Sequence, residues 1–159
     1  MPKHCFAPLI DERCTALILG SMPGELSLRK QQYYGHPRNA FWQLLNSNLA
    51  DKSYTQKCEY LLSHRIALWD VLSSAERKGS LDSAIKNEVP NDFDRFLRRH
   101  PNIKHIFFNG GKAQTAFAKY FTDLFLRYDC AGLPSSSPAY TLAFEEKELV
   151  WREALSLYI

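Results

Sequence analysis

What this chain lacks narrows it first. No apolar run approaches the length that spans a bilayer, and the start, Met1-Pro2-Lys3-His4, holds no apolar signal segment. Cys5, Cys14, Cys58 and Cys130 are scattered, with no CxxC pair and no Cys/His spacing of a zinc site. Repeats, linkers and low-complexity stretches are missing. Charge of one sign is scarce: 20 Lys and Arg against 17 Asp and Glu leave +3, which permits an anionic partner without requiring one. The expectation is a cytoplasmic monomer with reduced thiols, no metal and no cofactor. At 159 residues it is expected to be one domain, 1–159. That length buries roughly two-thirds of the unfolded surface, so no disulfide or metal staple is needed.

What is present is an alternation of apolar runs and helical patterns. The runs are residues 16–19, 66–69, 103–108 and 124–128. Between them, residues 39–49 place Phe41, Leu44, Leu45 and Asn48 at helical spacing, and residues 54–64 carry Cys58, Leu61 and Leu62 on one side. Asn91 is placed to cap a helix through Arg99, which His100-Pro101 stops. Residues 111–121 repeat Ala113, Ala116, Phe117 and Tyr120, and residues 144–158 close the chain. Strand then helix, four times, predicts an α/β fold: three αβα layers around a central four-stranded parallel sheet.

In such sheets ligands bind beyond the carboxyl ends of the strands. The first run is followed by Ser21-Met22-Pro23-Gly24, the second by Asp70, the third by Asn109-Gly110-Gly111-Lys112, and the fourth by Leu133-Pro134-Ser135-Ser136-Ser137-Pro138. If the strands are right, these sets converge. The segment 17–42 is the most informative, because a long aromatic loop leaves a buried strand there. Tyr33 and Tyr34 offer a stacking face for a base or simply core rings. His36 suits an acid, a phosphate contact or the core. Asn39 caps the next helix or orients a water. Asp70, directly after a buried run, needs a partner or a role. Asn109 suits a base edge or a helix cap. Gly110-Gly111 matches no phosphate-binding fingerprint and reads equally as a plain turn. The serines between Pro134 and Pro138 form a stiff polar loop able to grip phosphates.

These residues resemble a family. Gly20-Ser21-Met22-Pro23-Gly24-Glu25-Leu26-Ser27 with Tyr34-Gly35-His36-Pro37-Arg38-Asn39-Ala40-Phe41-Trp42 is similar to the first motif of the uracil-DNA glycosylase superfamily. It is especially like the mismatch-specific branch, where G-x-N-P-G-x-x-S precedes H-P-x-N-x-F-W. Residues 133–138 resemble the second motif. The double tyrosine, residues 66–72, Ser80-Leu81-Asp82-Ser83 and the LPSSSP loop resemble the hypoxanthine-DNA glycosylase branch. The likeness runs through most of the chain in consistent order.

The resemblance implies an enzyme that hydrolyses the bond between a deaminated base (hypoxanthine, uracil or xanthine) and deoxyribose, in damaged double-stranded DNA. It implies Asn39 and Asp70 as catalytic residues, Asp70 at the place of the amide that reads the base. It implies Ser21, Met22, Pro23 and Tyr34 against the base, with Tyr34 stacking; Asn109 joins them from its own chemistry. His36, Lys112, Pro134, Ser135, Ser136 and Ser137 face the DNA. Met22 departs from the family pattern, which has Asp or Asn there to position water, and Asn39 is the leading replacement. Two other readings remain: a non-catalytic binder of damaged DNA or nucleotides, and a hydrolase of free nucleosides.

Overall fold

A computed structural model describes residues 2–159. Met1, part of the amino-terminal segment considered above, lies outside the described residues. In chain order the strands and helices are β1 (Lys3–His4), β2 (Ala16–Gly20), α1 (Glu25–Lys30), α2 (Phe41–Leu45), α3 (Tyr54–Ser63), β3 (Ile66–Asp70), β4 (Leu72–Glu76), β5 (Lys86–Pro90), α4 (Phe93–Arg99), β6 (His105–Asn109), α5 (Gly111–Tyr120), α6 (Thr122–Arg127), β7 (Asp129–Leu133) and α7 (Phe144–Ala154).

Strands β3-β2-β6-β7 form a parallel sheet in that order. Every residue of β2 is buried, as a central strand covered on both faces must be. Alternate side chains enter two cores. Leu17, Leu19, Ile106 and Phe108 pack with α4, α5 and α6, whereas Ala16, Ile18, Leu68 and Phe107 pack with α2, α3 and α7. The three layers expected from the alternation of runs are therefore present.

Four local expectations need correction. The run at 124–128 is not a strand: it lies mostly in α6, and the fourth strand is β7. Three apolar residues in a row, Leu124-Phe125-Leu126, cannot separate strand from helix by period. Here Leu124 is buried while Leu126 stays 75% exposed. Asp123 in the first turn and Arg127 in the last suit the helix dipole. Strand β7, at the sheet edge, carries little apolar signal. The helix read over 39–49 is instead α2 followed by a 3-10 turn at Ser47–Asp51, because the Asn46 side chain accepts from the Asn48 amide and restarts the chain. The α4 cap is Asp92, whose side chain accepts from the Arg95 N–H at 3.1 Å. Asn91 instead donates to the Asp70 backbone carbonyl at 2.8 Å. The last helix stops at Ala154.

A second, antiparallel sheet, β1-β4-β5, was not foreseen. Strand β4 follows β3 after Val71 alone, so the chain turns straight from the parallel sheet into this ribbon. Its sequences, LSSAE and KNEVP, lack clean apolar alternation.

Candidate active site

Register sets Gly20 beside Asp70 and Asn109 beside Leu133 at the carboxyl ends of the parallel strands. Beyond those ends the chain encloses one cavity of about 660 Å³. That is within the range of small-ligand pockets. Ser21, Met22, Pro23, Tyr34, His36 and Asn39 line it from the segment after β2; Asp70 lines it from β3 and Asn109 from β6. Ser135, Ser136 and Ser137 line it from the loop after β7. Lys112 and Pro134 do not. Lys112 follows the lining residue Gly111 by one helical step, a rotation of about 100°. Its ammonium meets Glu88 at 2.6 Å instead. The Pro134 carbonyl accepts the Trp151 indole N–H at 2.8 Å.

The loop after β2 is built to hold Tyr34. Its backbone sits at φ 54°, a left-handed conformation that a tyrosine rarely adopts. Neighbouring bonds hold it there: the Tyr33 N–H donates to the Tyr54 hydroxyl at 3.0 Å, and the Gly35 N–H to the Ser27 hydroxyl at 2.9 Å. The Tyr34 ring stacks on Phe41, centroids 3.9 Å apart and planes 11° apart. Asn39 Oδ1 accepts the Phe41 N–H at 3.0 Å, which fixes the turn into α2 and leaves the amide nitrogen for another partner. His36 Nδ1 accepts the Arg38 N–H at 3.0 Å.

Asn109 binds the serine loop at both ends of its amide. It donates to Ser136 Oγ at 2.8 Å and accepts the Ser136 N–H at 2.9 Å. The loop is thereby fixed to the end of the sheet.

Arg77, which gave no sign in the sequence, is the largest addition. Its guanidinium is buried and donates to the carbonyls of Met22 at 3.2 Å and Pro23 at 2.7 Å. A second nitrogen reaches Asp82 Oδ1 at 3.4 Å, and the Ser21 hydroxyl donates to the same oxygen at 2.7 Å. The ribbon thus clamps the loop of the first motif. A charged residue in a polar stretch reads as a solvated loop, and only the β4-β5 turn carries it inside. Replacing it tests the clamp. Arg77→Met keeps the aliphatic stem and loses both carbonyl bonds, so stability is expected to fall by about 2 kcal/mol. Thermal unfolding should show a Tm lower by roughly 4–8 °C. The ion pair to half-exposed Asp82 adds little.

Asp70 is fully enclosed. Burial pushes its carboxyl up to about 7, Arg77 pulls the other way, and Asp82 adds to the rise. Its Oδ2 has no hydrogen-bond partner, nor does the Tyr34 hydroxyl. Burial also raises the Tyr34 phenol, with the Asp70 charge adding to it. Among the described residues no group of three His, Cys, Asp or Glu is placed to hold a metal, and no helix is long and apolar enough to cross a membrane.

The family model described as the Uracil DNA glycosylase superfamily matches residues 7–155. The chain belongs to this superfamily. A protein of Methanosarcina barkeri named hypoxanthine DNA glycosylase is 40% identical, covering 97% of this chain and 98% of its own. A protein of Methanosarcina acetivorans with the same name is 41% identical, over 95% and 96%. The solution NMR structure of a candidate uracil DNA glycosylase from M. acetivorans superposes with a TM-score of 0.85 at 39% identity, covering 99% of each chain. Within this superfamily member, the segment resembling the first motif and the serine loop line one cavity and meet where the Ala40 N–H donates to the Ser136 carbonyl at 3.0 Å.

Proposed function

We propose that this chain is a DNA glycosylase that removes hypoxanthine from deaminated DNA by hydrolysing its N-glycosidic bond. The observation that carries the reading is the convergence of Tyr34, Asn39, Asp70 and the three serines, 135–137, on one cavity with room for a purine. The two relatives named hypoxanthine DNA glycosylase, similar over nearly their whole length, support it. Uracil and xanthine carry the same carbonyl beside a ring N–H and are expected to compete for the pocket.

The target nucleotide leaves the stack, at a cost of a few kcal/mol that is lower in a mispair. One monomer acts on duplex DNA. Ser135, Ser136, Ser137 and His36 hold the backbone on either side, and Pro134 stiffens the loop. Lys112 reaches a phosphate only by exchanging Glu88 for it. Ser21, Met22 and Pro23 form the floor under the base, Tyr34, its ring stacked on Phe41, meets the base edge-on with its hydroxyl rather than as the stacking face its sequence suggested, and Asn109 keeps the serine loop closed over it. Asn39 offers its amide to a water near the sugar carbon C1′. The water oxygen bonds to C1′, the C1′–N9 bond breaks, and its electron pair leaves with the base. The proton released by the water ends on the departed purine. Donors aimed at the base stabilise the charge it acquires on leaving.

A duplex bearing one deoxyinosine tests the reading. Incubation followed by alkali should cut that strand at the inosine and leave an undamaged duplex intact. Met22, apolar where the family carries Asp or Asn, favours one alternative, a binder without catalysis. Retention of the inosine duplex with no alkali-labile site would establish that alternative. A steep loss of activity with added salt would separate a DNA enzyme from a hydrolase of free nucleosides.

A further inference from the structure

We infer that Asp70 works as an uncharged carboxylic acid which, together with the Tyr34 hydroxyl, donates hydrogen bonds to a carbonyl oxygen of the extruded base. The inference rests on reading the cavity as a base pocket and says how that pocket recognises the base and stabilises it as it leaves.

The geometry starts at Gly20. A methyl group there would lie 2.7 Å from Asp70 Oδ1 and 2.9 Å from the Tyr34 hydroxyl. Two oxygens from separate elements therefore converge against the Gly20 backbone, an approach that a side chain there would block. All three residues line the cavity. A carbonyl oxygen brought against this pair from the cavity side can accept from both groups.

Neither group is already engaged. The Tyr34 hydroxyl and Asp70 Oδ2 are buried without partners. Asn109 lies near the phenol without completing a bond to it, and its amide is held by Ser136. Two buried polar groups left unpaired beside a cavity are costly, and a ligand relieves the cost.

The surroundings select the neutral form of the acid. Arg77 is the cation that acts on Asp70, but its nitrogens are directed to the Met22 and Pro23 carbonyls and to Asp82. Asp82 opposes ionisation. The other titratable neighbours, Tyr33, Tyr34 and Cys5, are themselves held in their neutral forms by burial. Asn91, from the ribbon side, donates to the Asp70 backbone and not to the carboxyl. An ionised carboxylate would present only acceptors to the cavity and would repel a carbonyl. The acid presents an O–H. Hypoxanthine carries a carbonyl where adenine carries an amino group, so a donor at this place favours the deaminated base. As C1′–N9 breaks, the electron pair entering the ring places charge on that carbonyl oxygen, and the same two bonds strengthen. A tyrosine and a neutral aspartic acid form such an oxyanion site in other enzymes.

Single-turnover release of hypoxanthine from an inosine duplex tests this between pH 6 and pH 8. Wild-type release should fall about tenfold across that window as Asp70 loses its proton. Asp70→Asn keeps a donor that does not titrate. It should be slower at pH 6 yet change less than about threefold across the window. Tyr34→Phe, which keeps the ring stacked on Phe41, should slow release about tenfold at pH 6. The folded protein holds the Asp70 proton to higher pH than the unfolded chain, so wild-type stability declines as pH rises towards about 7. The Tm advantage of Asp70→Asn over wild type should therefore be larger at pH 8 than at pH 4. A flat wild-type profile, a folded Asp70→Asn protein with no release at any pH, or a carbon-13 titration of Asp70 complete below pH 5 would overturn the inference while glycosylase activity stood. No release by wild type at any pH would instead reject the glycosylase reading, and the donor role with it.

Discussion

Asn39→Ala is expected to lower hypoxanthine release by at least about tenfold, and up to about a hundredfold, the range for misplacing a reacting group. The residue has two ends with different jobs. Its Oδ1 accepts the Phe41 N–H just ahead of α2, a hydrogen bond worth about 1 kcal/mol. In a chain of this length that loss moves Tm by roughly 2–4 °C, far too little to unfold it. The amide nitrogen is the part assigned to the attacking water. Activity should therefore collapse while the protein stays folded. Kinetics and thermal unfolding measured on the same preparation separate the two roles. Undiminished turnover would leave Asn39 as a turn-former alone, and the water would need another holder.

Trp151→Ala carries the largest expected loss of stability. Trp151 is fully buried on α7. Its ring meets the edge of Phe41 at 5.6 Å, and Phe41 in turn carries the stacked Tyr34 ring. Its indole N–H holds the Pro134 carbonyl at 2.8 Å, at the start of the serine loop. Deleting a buried Trp side chain costs about 3–5 kcal/mol, a large part of the total stability of a domain. Tm should drop by roughly 6–20 °C. The same change loosens both walls of the cavity, so release at a temperature where the variant is still folded should also slow. Trp151→Phe keeps most of the packing and loses the N–H, and should fall between the two. A Trp151→Ala protein within about 2 °C of wild type would show that α7 does not support the site in this way.

Much of the fold was legible because burial on both faces leaves a plain mark. Residues 16–19 and 66–69 are short apolar runs bounded by polar or turn residues, and they became β2 and β3. The third run began two residues early, at Ile103, which is buried in the core without belonging to β6. The fourth failed, since an edge strand such as DCAGL carries a weaker apolar run than the helix before it, TDLFLR. The ribbon of β4 and β5 failed for a related reason: its strands give the core only Leu72 and Ala75, too few to leave an alternating pattern, and the connection between them lines the site. The site was legible where side-chain chemistry is distinctive. Tyr34, His36 and Asn39 sit in an unusual loop, and Asp70 follows a buried run. Arg77 was not, because a buried arginine in a polar stretch looks like a solvated one until its partners are known.

The amino-acid order by itself determined the layering, the central strand pair and the identity of the groups at the strand ends, because local periodicity and motif spacing are properties of neighbours along the chain. Tertiary structure alone decided what those groups can do. Asp70 is a neutral acid candidate only because the sheet, Tyr34 and the ribbon close water away from it, and Arg77 is a clamp only because the chain beyond Asp70 turns back over the first loop. Solvation and hydrogen-bond partnership depend on distant segments meeting in space, and spacing along the chain does not record them.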